Sequence, residues 1–176
     1  MTLVGSPPVR RFDLPNRVIV FALLGAATAL VVANQAYRDA EITLSGLLLR
    51  AVGADGVAVV PDRQTVYFGL GSDSPLGLRM TPECTSAFLV LPLLVVGAVL
   101  IALRPRITRR VLVALAAATV VVVVVNQFRV LTLVGLVEWL GTDDGYYWGH
   151  TLLGSMVSVF GGAAALVLFT WLATRR

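Results

Sequence analysis

Residues 111–129 read VLVALAAATVVVVVVNQFR, with Arg109 and Arg110 immediately before them. From Val111 to Phe128 the chain carries no charge, no proline and no glycine. At about 1.5 Å per residue, a helix over that run reaches roughly 27 Å, close to the ~30 Å hydrocarbon core of a bilayer. Outward from this segment, three more stretches have the same character: Val18 to Ala36, Thr85 to Leu103, and Thr151 to Ala173. A crossing needs about 20 mostly apolar residues. The expectation is therefore an all-α integral membrane protein with about four transmembrane helices. Residues 1–176 form a single membrane domain in this reading, with spans at about 18–36, 85–103, 111–128 and 151–173.

Composition supports that class and excludes others. Of 176 residues, 57% are hydrophobic and 14% charged, with a mean hydropathy of +0.86, too apolar for a soluble domain. All fourteen basic residues are arginine, and they flank the apolar runs. No arginine stripe interleaved with aromatics exists, so the net charge of +4 points to membrane orientation and not to nucleic acid.

Orientation follows from where the arginines sit. Arg10, Arg11 and Arg17 precede the first span, Arg104, Arg106, Arg109 and Arg110 join the second to the third, and Arg175 and Arg176 end the chain. Residues 37–83 carry four arginines against six acids, and residues 138–149 carry Glu138, Asp143 and Asp144 without arginine. Both termini are expected in the cytoplasm of a multi-pass cell-membrane protein, with outer loops at 37–83 and 138–149. A cleavable signal peptide competes as a reading of the first span, on Arg10, Arg11, Arg17 and the Val31-Val32-Ala33 tail. Trp139, Tyr146, Tyr147 and Trp148 suit one interfacial belt and Trp171 the other.

Within the larger outer loop, Ile42 to Val52 is apolar enough for a short interfacial helix. Gly56 to Val60, a Pro61-Asp62-Arg63-Gln64 turn, and Thr65 to Phe68 read as an outward-facing β-hairpin. A glycine-rich stretch from Gly69 to Gly77 then leads to Leu78-Arg79-Met80.

Three residues carry chemistry: Cys84, Arg129 and His150. Cys84 is the sole cysteine and His150 the sole histidine. Thr81-Pro82-Glu83-Cys84 reads as a helix start, with Cys84 at the third helical position, where free N–H groups and the dipole favour a thiolate. Arg129 is a charge at the end of an apolar run, which snorkels or serves a polar cavity. Asn126 shares its helical face and is expected to hold the guanidinium. His150 opens the last helix, and Gly154, Ser158 and Gly162 follow on the same face, a small-residue pattern that admits a close neighbour. One Cys and one His supply too few ligands for a metal, no phosphate-binding loop is present, and no cofactor is expected.

Glu83-Cys84-Thr85-Ser86, Asn126-Gln127-Phe128-Arg129 and His150-Thr151-Leu152-Leu153-Gly154, in that order at helix ends, resemble the exosortase/archaeosortase family of membrane-embedded cysteine transpeptidases. The resemblance runs from the outer loop to the C-terminus. This chain departs from it in Thr85-Ser86, where members often carry a small residue and glycine, and in having four spans where many have about eight. It implies a sortase-like enzyme acting on exported proteins that end in a short motif, a transmembrane helix and a basic tail. Cleavage would pass through a thioester and end in transfer to an acceptor. Cys84 would be the nucleophile, His150 the base and acid, and Arg129 the oxyanion stabiliser, with Asn126, Glu83 and Gly154 in support. Pro92 would bend the second span and widen the substrate's entrance between helices. Other classes remain open on the residues alone: a non-catalytic membrane scaffold or assembly subunit, and a thiol-dependent membrane acyltransferase.

Overall fold

The computed structural model describes residues 14–71 and 75–175. Arg10, Arg11 and Arg176, used above for orientation, lie outside the described residues, as do Ser72 to Ser74. The chain begins with α1 (Leu14–Val32) and, after one interrupting residue, Ala33, continues as α2 (Asn34–Ala51). Three short strands follow: β1 (Ala58–Val60), β2 (Thr65–Phe68) and β3 (Leu76–Arg79). The rest is helical, with α3 (Ala87–Leu103), α4 (Thr108–Leu140), α5 (Thr142–Tyr146), a wide π-type turn (Tyr147–Leu153) and α6 (Gly154–Thr174).

Three segments are long and apolar enough to cross a bilayer: Leu14–Val32, Pro105–Leu140 and Thr142–Thr174. The second expected span is shorter than the sequence suggested, so the count of four is not reached by length alone. Thr85 is extended (φ −88°, ψ 147°), so α3 starts at Ala87 and holds 17 residues. The third span is longer than expected. It does not stop at Phe128 but runs on through Arg129 to Leu140, 33 residues in all.

That length has a packing cause: α4 belongs to two separate cores. Its first half places Val111, Ala114, Leu115, Ala118 and Val122 in a cluster with Ala27 of α1, Leu93 and Ile101 of α3, and Phe169 of α6. Its second half places Val130, Leu133, Val134 and Val137 against Ile42 and Leu49 of α2 and Val66, Phe68 and Met80 of the sheet. Burying a second apolar stripe of this kind stabilises the extra turns, since tertiary packing and not propensity supplies most helix stability. The bundle's outer faces stay apolar: Val18 and Phe21 on α1, Val124 on α4 and Val167 on α6 are all exposed, as expected where lipid is the solvent.

The 37–83 segment differs most from expectation. Its helix spans Asn34–Ala51, not Ile42–Val52, and packs on α4. The β-hairpin is present, with Ala58 opposite Tyr67 and Val60 opposite Thr65. A 3-10 turn at Pro61–Arg63 joins the strands, closed by Gln64 in the left-handed region (φ 49°). The Gln64 amide holds that turn by donating to the Pro61 and Asp62 carbonyls and to Asp39 Oδ1 of α2. β1 starts two residues after Gly56, which sits at φ 59° against the Leu70 backbone, where a side chain would collide with the Leu70 carbonyl. A third strand, β3, pairs antiparallel with β2 in the order β1-β2-β3.

The basic ends of the helices converge. Thr108 at the start of α4 donates to Asn16 Oδ1 of α1 (2.9 Å), and Arg110 donates to the Arg175 carbonyl after α6 (2.9 Å). The sheet, α2 and α5 occupy the opposite end of the bundle.

Candidate active site

The three chemically competent residues line one small cavity, about 70 Å³, at the junction of the two cores. Cys84, Arg129 and His150 share its wall with Leu78 and Arg79 of β3 and Tyr146 of α5. Each arrives from a different element, and each local structure departs from the simple helix ends read in the sequence.

Cys84 is not at the third position of an α-helix. It closes a single 3-10 turn, Pro82–Cys84, separated from α3 by the extended Thr85. Thr81 does not cap a helix with its side chain; its hydroxyl points at the Cys84 sulfur, 3.3 Å away. The sulfur is therefore held by local contacts and not by a helix dipole. Glu83 is fully exposed beside it. Its carboxyl lies below the ordinary carboxylate range, mainly through its own backbone N–H, then the Thr81 hydroxyl and the Arg38 charge.

Arg129 lies inside α4, and its Nη2 donates to the Cys84 sulfur at 3.8 Å. The guanidinium is turned inward onto the thiol. Asn126, expected to hold it, has another partner: its Nδ2 donates to Glu41 Oε1 at 3.1 Å. Gly154 takes over the shaping role. A Cβ there would stand 2.9 Å from Arg129 Nε and 2.9 Å from the Gly149 carbonyl, so the missing side chain is the space the arginine fills.

His150 sits in the π-type turn Tyr147–Leu153, between α5 and α6, and not at the start of the last helix, which begins at Gly154. Such wide turns recur at functional sites because they re-aim side chains. The imidazole stacks on Tyr146, with centroids 5.0 Å apart and planes 11° apart. Along the face below it, Gly154 meets Arg129 and Gly162 meets Leu89 of α3. Close contact with α4 also uses Gly161, against Val125.

A larger groove, about 470 Å³, opens between α3, α4 and α6 and ends at Arg129 and Glu83. Its walls include Phe88, Pro92, Val122, Ser158 and Leu166, and are mostly apolar.

The sequence reading missed a polar belt on α2. Tyr37, Glu41 and Ser45 recur every four residues and so share one face. Tyr37 bonds Ser86 (2.6 Å), and Ser45 donates to Gln127 Oε1 (2.7 Å). Burial raises the Tyr37 phenol above its ordinary value, with the Ser86 bond pulling it partly back and the Glu41 charge adding to the rise. Glu41 is buried at 5% exposure and accepts from the Thr85 hydroxyl, the Ser86 N–H and Asn126. The period-four spacing was visible in the sequence, but inside a presumed loop it had no face to define. Among the described residues no cluster of three or more His, Cys, Asp or Glu side chains could hold a metal ion.

The fold is that of a helical membrane protein, and one cavity brings its lone thiol, an inward-turned arginine and its histidine together. The sequence model of the transmembrane exosortase family matches residues 1–169, and the chain belongs to that family. No curated protein and no solved structure matches it.

Proposed function

We propose that this protein is a sortase-like cysteine transpeptidase that cleaves C-terminal sorting signals of exported proteins and transfers them to an acceptor. The observation that carries the reading is the Arg129–Cys84 contact. An arginine serving as a membrane anchor turns to the headgroups, whereas this one is aimed at the thiol that would become the nucleophile.

In the proposed cycle the Cys84 thiol gives its proton to His150 as the sulfur attacks the scissile carbonyl carbon, and negative charge moves to the carbonyl oxygen. The planar Arg129 fork donates to that oxyanion. Collapse breaks the C–N bond, the leaving amine takes the proton from His150, and a thioester remains on Cys84. The acceptor then gives its proton to His150 and attacks the thioester, which releases the product, and His150 returns the proton to the Cys84 sulfur. Gly154 provides room for Arg129, and Glu83 flanks the nucleophile at the mouth of the groove.

The substrate's transmembrane helix would lie along the apolar groove between α3, α4 and α6, its motif reaching Cys84 from the membrane side. β3 offers the motif a place to pair. The Met80 N–H bonds the Gln64 carbonyl, so in an antiparallel ladder Leu78 and Leu76 also face β2, and Gly77 and Arg79 turn their backbone groups to the open edge. An extended motif added at that edge would run toward the Cys84 cavity. Charge asymmetry supports a reading with this end of the bundle on the outer face and both termini in the cytoplasm.

The test is mass spectrometry of the C-terminus of a co-expressed exported protein that ends in a motif, an apolar span and arginines. Truncation at the motif that requires this protein and its Cys84 supports the reading. An intact C-terminus in both backgrounds, across such substrates, overturns it.

A further inference from the structure

We propose that Glu41 is the positioning residue of the site, the one buried side chain that fixes Cys84 and Arg129 relative to each other. The inference concerns the same site as the proposed function and rests on that reading only for its catalytic consequence.

Cys84 and Arg129 belong to segments with no covalent reason to keep register, a 3-10 turn before α3 and the middle of α4. Their contact is long, 3.8 Å, and a guanidinium on a flexible stem cannot hold the two segments together by itself. Glu41 joins the same two segments at close range. Oε1 accepts from Asn126 Nδ2 at 3.1 Å, three residues before Arg129 on α4. Both carboxyl oxygens accept from the Ser86 N–H at 3.2 Å, and Oε2 accepts from the Thr85 hydroxyl, in the two residues directly after Cys84. The Thr85, Ser86 and Asn126 groups around the carboxyl all donate to it.

The location adds to the argument. Ser86 is the N-cap residue of α3, so the carboxyl also sits at that helix start, where negative charge is favoured. α2 itself is held against α4 by Ile42, Leu49 and the Ser45–Gln127 bond. Glu41 is thus a fixed post carrying two struts, one to the nucleophile's turn and one to the arginine's.

The experiment reads Cys84 directly and needs no substrate. The rate of alkylation of Cys84 by a soluble maleimide is measured at neutral pH on full-length protein in membranes, normalised to folded protein. Arg129→Ala is expected to slow labelling about fivefold, the equivalent of the ~1 kcal/mol of one hydrogen bond, because the Nη2 contact that orients the sulfur is lost. Glu41→Ala is expected to slow it by a similar factor, because the guanidinium and sulfur lose their shared post. The Glu41→Ala/Arg129→Ala double variant should be no slower than Arg129→Ala, the mark of two residues acting through one contact. Glu41→Gln keeps an acceptor for Thr85 and Ser86 and a donor for a reoriented Asn126 amide, and should recover most of the rate. If Glu41→Ala fails to accumulate, Thr85→Val and Asn126→Ala each remove one strut and must show the same lack of additivity with Arg129→Ala. Wild-type labelling in the strut-deficient variants, or losses that multiply in the doubles, overturns the proposal. Because the readout is the thiol alone, this result stands or falls independently of whether a sorting signal is ever cleaved.

Discussion

Replacing Gly154 with alanine tests the site through the smallest change available. The added methyl would stand 2.9 Å from Arg129 Nε, 3.2 Å from Nη2 and 2.9 Å from the Gly149 carbonyl, where ordinary contact is 3.4–4 Å. The guanidinium must retreat by about 0.5 Å, and the Gly149 carbonyl, being backbone, is relieved only by a small shift of the π-type turn. A displacement of about 1 Å costs on the order of a hundredfold in rate, so half of it is expected to cost about tenfold. Stability should move far less. Overpacking costs about 1–3 kcal/mol, and alanine in place of helical glycine returns about 1 kcal/mol. The control is Gly135→Ala on α4, where nothing lies within 4 Å of the new methyl. The assay is the initial cleavage rate of a model sorting-signal substrate at matched protein abundance. Equal rates for Gly154→Ala and Gly135→Ala would refute the reasoning, since the guanidinium's position would then be immaterial.

Other expectations follow from the same geometry. Cys84→Ala should accumulate normally and leave substrate full length; processing at the wild-type rate would remove the nucleophile from the mechanism. Arg129→Lys keeps the charge but loses the planar fork, and should forfeit about 2.7–4 kcal/mol of transition-state stabilisation, the scale of one oxyanion donor; near-normal turnover would reduce the residue to an anchor. A membrane-impermeant thiol reagent should label Cys84 in intact cells and spare Thr108→Cys in a Cys84→Ala background, and the reverse pattern would invert the proposed topology.

The helices that bury apolar faces were legible in the sequence, because uninterrupted runs such as Val111–Val125 admit few other structures. Their ends were not. Continuation of α4 past Arg129 depends on Val130, Leu133, Val134 and Val137 finding partners on α2 and the sheet, and no local signal encodes a distant partner. The hairpin was readable from its turn chemistry at Pro61–Gln64. β3 was hidden, since Gly77 weakens strand character and is covered only in three dimensions, by Tyr67 across the pair. At the site, rarity singled out Cys84 and His150, and isolation in an apolar run singled out Arg129. Glu41 escaped because its charge resembled the other acids of a presumed loop, and its burial is a property of assembly.

The long shared helix also sets a dimension. From Val111, at the arginine-rich end, to Arg129 is eighteen residues of unbroken α4, about 27 Å at 1.5 Å per residue. One continuous rod therefore holds Arg129 at a set height, near the ~30 Å depth of the hydrocarbon layer. A proposed substrate helix has no such restraint and answers bilayer thickness by tilting. Under the proposed function the protein would act as a ruler, and substrates whose apolar segment, at its tilt, matches that height would present their motif to the sulfur.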